Sequence, residues 1–376
     1  MKKAYARNSI CHLTTVHPRF DNRIFSKECV SLSEAGYDVI LIVGDGLGNS
    51  MHSGVEIYDL GKFKKVFKRI FIAPIVFFLN ALKKKADVYH FHDPELIITG
   101  LALRVFGKKV IYDIHEDYTT SINHRGYIPV FLKKIVSILW SLFEKNLASF
   151  FQQVIAENYY QKRFPKALPI LNYPIISEFE IAKNINGIGN TLLYTGNINE
   201  ERGALIQTNI LNYVENIKIV MIGYCLTSTW NKMRFIAAPN LNKLKVIGIN
   251  SYIPFSEIKN TYNNGTFLCG LAIFPESPHF REKELTKFFE YMQFGIPIIC
   301  SNFPVWKNLV EKNDCGICVN PNLESEIKNA IVFLQENPDR AKEMSENGIK
   351  NVKNQFNWTT ESEKLIELYN SLVTFI

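Results

Sequence analysis

Short runs of β-branched and aromatic residues alternate with longer amphipathic segments along the whole chain. Apolar runs at residues 9–15, 38–43, 88–91 and 109–113 read as buried strands, and 24–35 and 96–106 carry helical spacing. This alternation predicts βαβ units on a parallel sheet. It pauses at 172–189, rich in Pro, Asn and Gly and without a period, where a linker is expected. The pattern restarts with strands at 191–194, 217–222, 245–249, 271–274 and 296–300, each followed by a polar or helical stretch. Residues 358–373 predict a last helix with Leu365, Ile366, Leu368, Tyr369 and Leu372 on one apolar face. The expected fold class is therefore α/β, with domains at 1–180 and 190–355 and a closing segment at 356–376.

Composition agrees with two ordinary cores. The 376 residues are 47% hydrophobic and 21% charged, which excludes disordered, collagen-like and low-complexity classes. Charge changes the picture more. Residues 1–180 hold 24 Lys/Arg against 17 Asp/Glu while the remainder is balanced, so the whole net charge of +7 sits in the first half. That asymmetry suits a membrane leaflet, a nucleic acid or a phosphate-bearing substrate. Seven cysteines, an odd number scattered through apolar runs with no secretory signal ahead of them, point to a reduced, cytoplasmic protein. Cys315 and Cys318 have C-x-x-C spacing but no second pair or His cluster to complete a zinc site, and read as buried structural thiols. The longest apolar run, 70–82, is too short to cross a bilayer, which takes ~20 residues.

In open α/β sheets ligands bind beyond the carboxyl ends of the strands, so residues there are the first candidates. Four places qualify. His92-Asp93-Pro94-Glu95 follows one strand and His115-Glu116-Asp117 the next. Each could cap the following helix, yet the repetition favours a shared crevice. Thr195-Gly196-Asn197 runs on to Arg202-Gly203, a glycine turn with a guanidinium at a helix start, which suits an anion although a plain βα turn would look similar. Glu282 and Glu290 lie eight apart, one in a loop and one in a helix leading to Gly295, able to accept protons from a polyhydroxylated ligand.

These segments resemble a known family. Thr195-Gly196 with Arg202-Gly203, then Glu282-x7-Glu290 with Phe-Glu-Tyr-Met-x-x-Gly-Ile-Pro-Ile-Ile-x-Ser, then Cys315-Gly-Ile-Cys-Val-Asn-Pro, look like the donor half of family 4 glycosyltransferases. His17-Pro-Arg-Phe-Asp-x-Arg-Ile-Phe-x-Lys-Glu and Tyr112-Asp-Ile-His115-Glu resemble the acceptor half of one bacterial branch. The resemblance implies a GT-B fold, two Rossmann-like domains facing across a cleft, with the last helix crossing back to the first. It also implies retaining transfer of a sugar from a nucleotide diphosphate donor, and the acceptor is expected to be a glycan precursor on a lipid carrier. Glu290 would bind ribose hydroxyls, Glu282 the donor sugar, and Arg202 the diphosphate beside Gly196, Asn197 and Gly203. His115 would lie by the anomeric centre, with same-face attack assisted by the leaving phosphate.

Two departures stand out. The family usually places an Arg or Lys soon after the first glycine and a Lys before the second, where this chain has Asn197 and Arg202; one positive charge is missing. The first loop, Thr14-Thr15-Val16-His17-Pro18-Arg19, lacks the family's glycines, and Arg19 or Arg23 is a candidate for the missing charge. No divalent ion and no cofactor are expected, because a guanidinium and helix amides can stabilise the leaving diphosphate. Partners are expected to be the nucleotide sugar, the glycan acceptor and an anionic membrane, with no nucleic acid. Residues 62–85 and 131–151 could present apolar faces edged by lysines to that membrane, although such helices in α/β domains normally bury the face on the sheet. The rivals are a nucleotide-sugar epimerase or hydrolase of the same fold, and a basic membrane- or nucleic-acid-binding module without catalysis.

Overall fold

The computed structural model describes residues 8–115, 130–176, 189–278 and 280–373, excluding the side chains of 130–133. The chain forms two units, residues 1–172 with 358–376, and residues 173–357.

In the first unit, β1 (Ser9–Leu13), β2 (Asp38–Val43), β3 (Ser50–His52), β4 (Val55–Asp59), β5 (Val88–Phe91), β6 (Lys109–Ile114), β7 (Gln152–Ile155) and β8 (Leu168–Pro169) make one sheet ordered β3-β4-β2-β1-β5-β6-β7-β8. All neighbours are parallel except the β3–β4 hairpin. The chain winds outward from β1 through β2, then returns to its other side with β5, so strand order reverses between β1 and β5. Side chains alternate across this sheet. Cys11 and Leu13 face a core completed by α2 (Ala73–Lys84), α3 (Ile97–Val105) and α4 (Val130–Ala148), numbered after α1 (Val30–Glu34). Ile10 faces the opposite core, built from the helical stretch Asn22–Cys29, α1 and the final helix, Trp358–Val373. The predicted apolar face of that final helix is buried here through Leu365, Leu368 and Tyr369. Trp358 donates its indole N–H to Ser31, and Glu361 accepts the Leu171 amide.

The first unit ends at Asn172, short of the expected 180. Buried cations explain the tie: Arg23 holds the Ile170 carbonyl and Lys27 the Asn172 carbonyl and amide oxygen. Of the expected linker, residues 177–188 lie outside the described residues, as do Glu116 and Asp117.

The second unit repeats the architecture. β9 (Thr191–Thr195), β10 (Lys218–Cys225), β11 (Leu244–Ile249), β12 (Cys269–Ala272), β13 (Ile298–Ser301) and β14 (Gly316–Val319) form a parallel sheet ordered β11-β10-β9-β12-β13-β14. Its order reverses between β9 and β12. The connecting helices include α5 (Ala204–Asn209), α6 (Thr227–Ile236), α7 (Phe255–Asn264), α8 (Thr286–Gln293), α9 (Pro304–Val310), α10 (Glu324–Glu336) and α11 (Pro338–Asn354). The C-x-x-C tract is β14 and its approach; all seven cysteines are free thiols, Cys315 buried and Cys318 half-buried.

Candidate active site

The glycine loop of the second unit sits where the strand order reverses. Gly196 follows β9 with φ +99°, and its amide continues the ladder to the Ile222 carbonyl. Gly203 has φ +72°, and a Cβ there would stand 1.9 Å from the Ile273 carbonyl oxygen just past β12. Only glycine lets the start of α5 approach that strand end so closely. Between them, Asn199 caps the turn Glu200–Arg202 by accepting the Arg202 amide at 2.9 Å.

Two cations converge on the open face of Gly196. A Cβ built there would lie 3.9 Å from both Arg202 Nη1 and Lys287 Nζ. Arg202 was expected from the sequence; Lys287, on α8, was not. Its ammonium lies 3.6 Å from the centre of the Tyr194 ring and 5.1 Å from that of Phe274. It is buried, and among the described residues its Nζ has no hydrogen-bond partner. Burial pushes its pKa well below the ordinary lysine range; Arg202 adds to that fall and Glu290 opposes it. A signal was present in the sequence: Lys287 precedes Glu290 by three positions, so both lie on one helix face.

Glu290 is half-buried and accepts the Tyr262 hydroxyl at 2.8 Å, which is also 2.8 Å from Thr195 Oγ1. The carboxylate is thereby fixed beside the β9 strand end. Glu282 lies, half-buried, in the irregular segment between β12 and α8, where Trp306 donates its indole N–H to the Lys283 carbonyl. Asn197 is exposed, and its carbonyl oxygen accepts the Tyr194 hydroxyl at 2.7 Å. The structure thus gathers Gly196, Arg202, Lys287 and Glu290 around one strand end, while Gly203 serves by letting backbone pack.

In the first unit the described strand-end residues are bound to one another, and Asp93 caps no helix. Asp93 accepts the Thr15 amide at 2.5 Å and the Thr14 hydroxyl at 2.8 Å, making no cap to the turn after it. His115 Nε2 lies 3.0 Å from His17 Nε2, and His115 Nδ1 lies 3.1 Å from Asp113 Oδ2. Asp113 also accepts both Arg23 Nε–H and Nη2–H, at 2.9 and 2.8 Å, and the His92 ring at 3.0 Å. Burial tends to raise the Asp113 carboxyl, but the Arg23 guanidinium and His115 hold it well below the usual range. Arg23 is consumed by this pair, and Arg19 forms a fork of 2.8 and 2.6 Å with Asp45. Both arginines, the candidates for the missing phosphate charge, are bound by carboxylates of their own unit. A pocket beside His17 is lined by Gly44, Lys62 and Arg69.

His17 gives a pH prediction. Burial would lower its pKa, but Asp21 and Asp93 outweigh burial and raise it to about 10. With the folded value above the unfolded ~6.5, its stabilisation is complete below that pH and lost as pH rises through 10. The melting temperature should fall between pH 6.5 and 10 by more in the wild type than in His17→Asn; parallel curves would refute the pairing.

The amphipathic helices behave unexpectedly for an α/β domain. Phe67 and Phe71, in the helical turns that lead into α2, and Ile75 of α2 are 58–66% exposed, and Ile138, Leu139 and Leu142 of α4 are 51–61% exposed. Lys64, Lys65, Lys68, Lys134 and Lys145 are exposed among them. Contacts of α3 with both α2 and α4 place these helices on one side of the sheet. Among the described residues no helix is long and apolar enough to cross a membrane.

Residues 176–351 match the model of the family described as glycosyl transferases group 1. No curated protein matches the chain. Solved structures do: sucrose-phosphate synthase from Thermosynechococcus elongatus superposes with a TM-score of 0.73 at 15% identity, covering 98% of this chain and 100% of its own. A glycosyltransferase from Rickettsia africae gives 0.72 at 16%, covering 99% and 100%. Anabaena HepE, solved with UDP, gives 0.69 at 13%, covering 96% and 100%. At these identities the likeness is one of fold, and the fold is GT-B, with two Rossmann-like units of which the second carries the match to glycosyl transferases group 1.

Proposed function

We propose that this chain is a retaining glycosyltransferase that moves a sugar from a nucleoside diphosphate donor to a lipid-linked glycan precursor at an anionic membrane surface. The observation that carries this reading is the convergence of Arg202 and Lys287 on the open face of Gly196 at the reversal of strand order, with Glu290 fixed beside them. Two cations at a glycine suit a diphosphate, and a carboxylate at the strand end suits ribose hydroxyls. The UDP in the HepE structure and the family match of the same unit support that donor class. Lys287 takes the place of the charge missing from the sequence pattern, so departure of the diphosphate needs no divalent ion. Glu282 is assigned to the donor sugar and His115 to the reacting centre.

Incubating the purified chain with labelled nucleotide sugars and lipid extract tests the reaction. Acceptor-dependent transfer of label to lipid supports the proposal, whereas donor turnover that ignores the extract would favour an epimerase or hydrolase. Glu290→Gln should weaken nucleoside binding by about 10-fold or more, since hydrogen bonds to a charged group contribute ~1.5–3 kcal/mol each. Unchanged affinity in calorimetry would remove Glu290 from the site.

The exposed apolar side chains edged by lysines support the membrane part of the reading. Each lysine near an anionic leaflet adds about 1 kcal/mol, and apolar residues sink into the headgroup boundary. Co-sedimentation with anionic vesicles should be strong at low salt and largely lost in a Phe67→Ser/Phe71→Ser/Leu139→Ser variant. Equal binding to neutral vesicles, or none at low salt, would favour a soluble acceptor.

A further inference from the structure

We propose that His12, Glu28, His90 and His92 form a site for one divalent transition metal ion of the zinc type, enclosed within the first unit. Sheet register builds it. Parallel pairing places His12 of β1 directly opposite His90 of β5, and His92, two residues on, falls on the same face. Glu28, in the helical stretch Asn22–Cys29, enters from above that face. All four side chains are 0–2% exposed.

Four ligand atoms then gather around one point. Glu28 Oε2 lies 3.9 Å from His12 Nδ1, 3.7 Å from His90 Nδ1 and 3.9 Å from His92 Nε2. His12 Nδ1 and His92 Nε2 are 2.9 Å apart, and all four atoms fall within 4.8 Å of one another. A tetrahedral zinc ion with ligand bonds of ~2.0–2.1 Å sets its ligand atoms ~3.3–3.4 Å apart, so shifts of about half an ångström bring most of these distances into range. Three imidazoles and one carboxylate are a donor set suited to such an ion.

The outer atoms of two of the three imidazoles support it, while among the described residues His90 Nε2 has no hydrogen-bond partner. A metal-bound imidazole normally donates its remote N–H to a fixed acceptor. Here His92 Nδ1 meets Asp113 Oδ2 at 3.0 Å and His12 Nε2 meets the Tyr369 hydroxyl at 3.3 Å. That hydroxyl also lies 2.8 Å from His90 Nδ1, and metal binding would leave it to His12. Glu28 itself is the second pointer to a ligand. Among the described residues neither of its oxygens has a hydrogen-bond partner, although Arg23 stands 3.2 Å from Oε1. A buried carboxylate is seldom left so unless an ion completes it. The adjacent His92, Asp113 and His115 also lie within metal-binding reach, but Asp113 is already taken up by Arg23. An ion at the inner site joins β1, β5 and the first helix, and through Tyr369 the final helix; it is a structural clip, separate from diphosphate departure.

The test uses the untagged full-length chain, stripped with a chelator and titrated with Co²⁺ as a visible probe. One equivalent should bind with the absorption bands of a tetrahedral site and raise the melting temperature, as a ligand binding only the folded state does. Glu28→Gln and His90→Asn should lose the bands and at least about 10-fold in affinity. His115→Ala should keep both. Loss in His115→Ala with retention in Glu28→Gln would overturn the assignment in favour of the outer cluster. Should the inner-site variants not fold, the wild type decides alone: no bands and no stabilisation by Co²⁺ would overturn the proposal.

Discussion

Replacing Lys287 by methionine should raise the melting temperature of the protein and at the same time remove most of its affinity for nucleoside diphosphates. The lysine is buried, its Nζ lies against aromatic faces with no hydrogen-bond partner among the described residues, and its pKa is driven down by burial and by Arg202. An amine held without a hydrogen bond costs roughly 1–3 kcal/mol, a cost methionine avoids while filling much the same space. A rise of about 2–12 °C follows for a unit of this size. Affinity should move oppositely, by about 10- to 100-fold, through loss of a charged hydrogen bond of ~1.5–3 kcal/mol to the diphosphate. The pH dependence has a definite sign. The folded lysine binds fewer protons than the unfolded one, so the part of the wild-type penalty that comes from its charge is full at low pH and fades as pH climbs towards ~10.4. The stability gap between variant and wild type should therefore narrow as pH rises towards ~10. A destabilised variant with undiminished diphosphate affinity would contradict the placement of Lys287.

His115→Ala should retain nucleotide binding and lose most transfer. His115 is held between His17 and Asp113, and the strand end that carries it belongs to the first unit, whereas the nucleotide groups lie in the second. A ring held at such a strand end can stabilise developing charge, and losses of about 10²–10³ in kcat are expected when such a group is removed. An unchanged rate would remove His115 from the reacting centre, and equal losses in nucleotide affinity and rate would make its role structural.

The sheets were legible because parallel strands buried on both faces read as continuous apolar runs, as at 38–43, 88–91 and 271–274. Short edge strands such as β3 and β8 carry no such run and escaped notice. Gly196, Arg202 and Glu290 stood out through local spacing. Lys287 did not, because a lysine in an amphipathic helix ordinarily points to solvent, and only the packing of α8 against Tyr194 and Phe274 turns it inward. The cluster of His12, Glu28, His90 and His92 depends on register between strands distant in sequence, which spacing along the chain cannot reveal. Charge patterning correctly suggested lysine-edged apolar helices, yet the exposure of Phe67, Phe71 and Leu139 became visible only with the layers in place.

The central claim is that the second unit binds a nucleoside diphosphate through Arg202 and Lys287. Titration calorimetry with a nucleoside, its monophosphate and its diphosphate tests it most directly. Affinity should rise steeply with the second phosphate, and Lys287→Met should abolish that rise. Affinity indifferent to the phosphates, or a rise that persists undiminished in Lys287→Met, would contradict it.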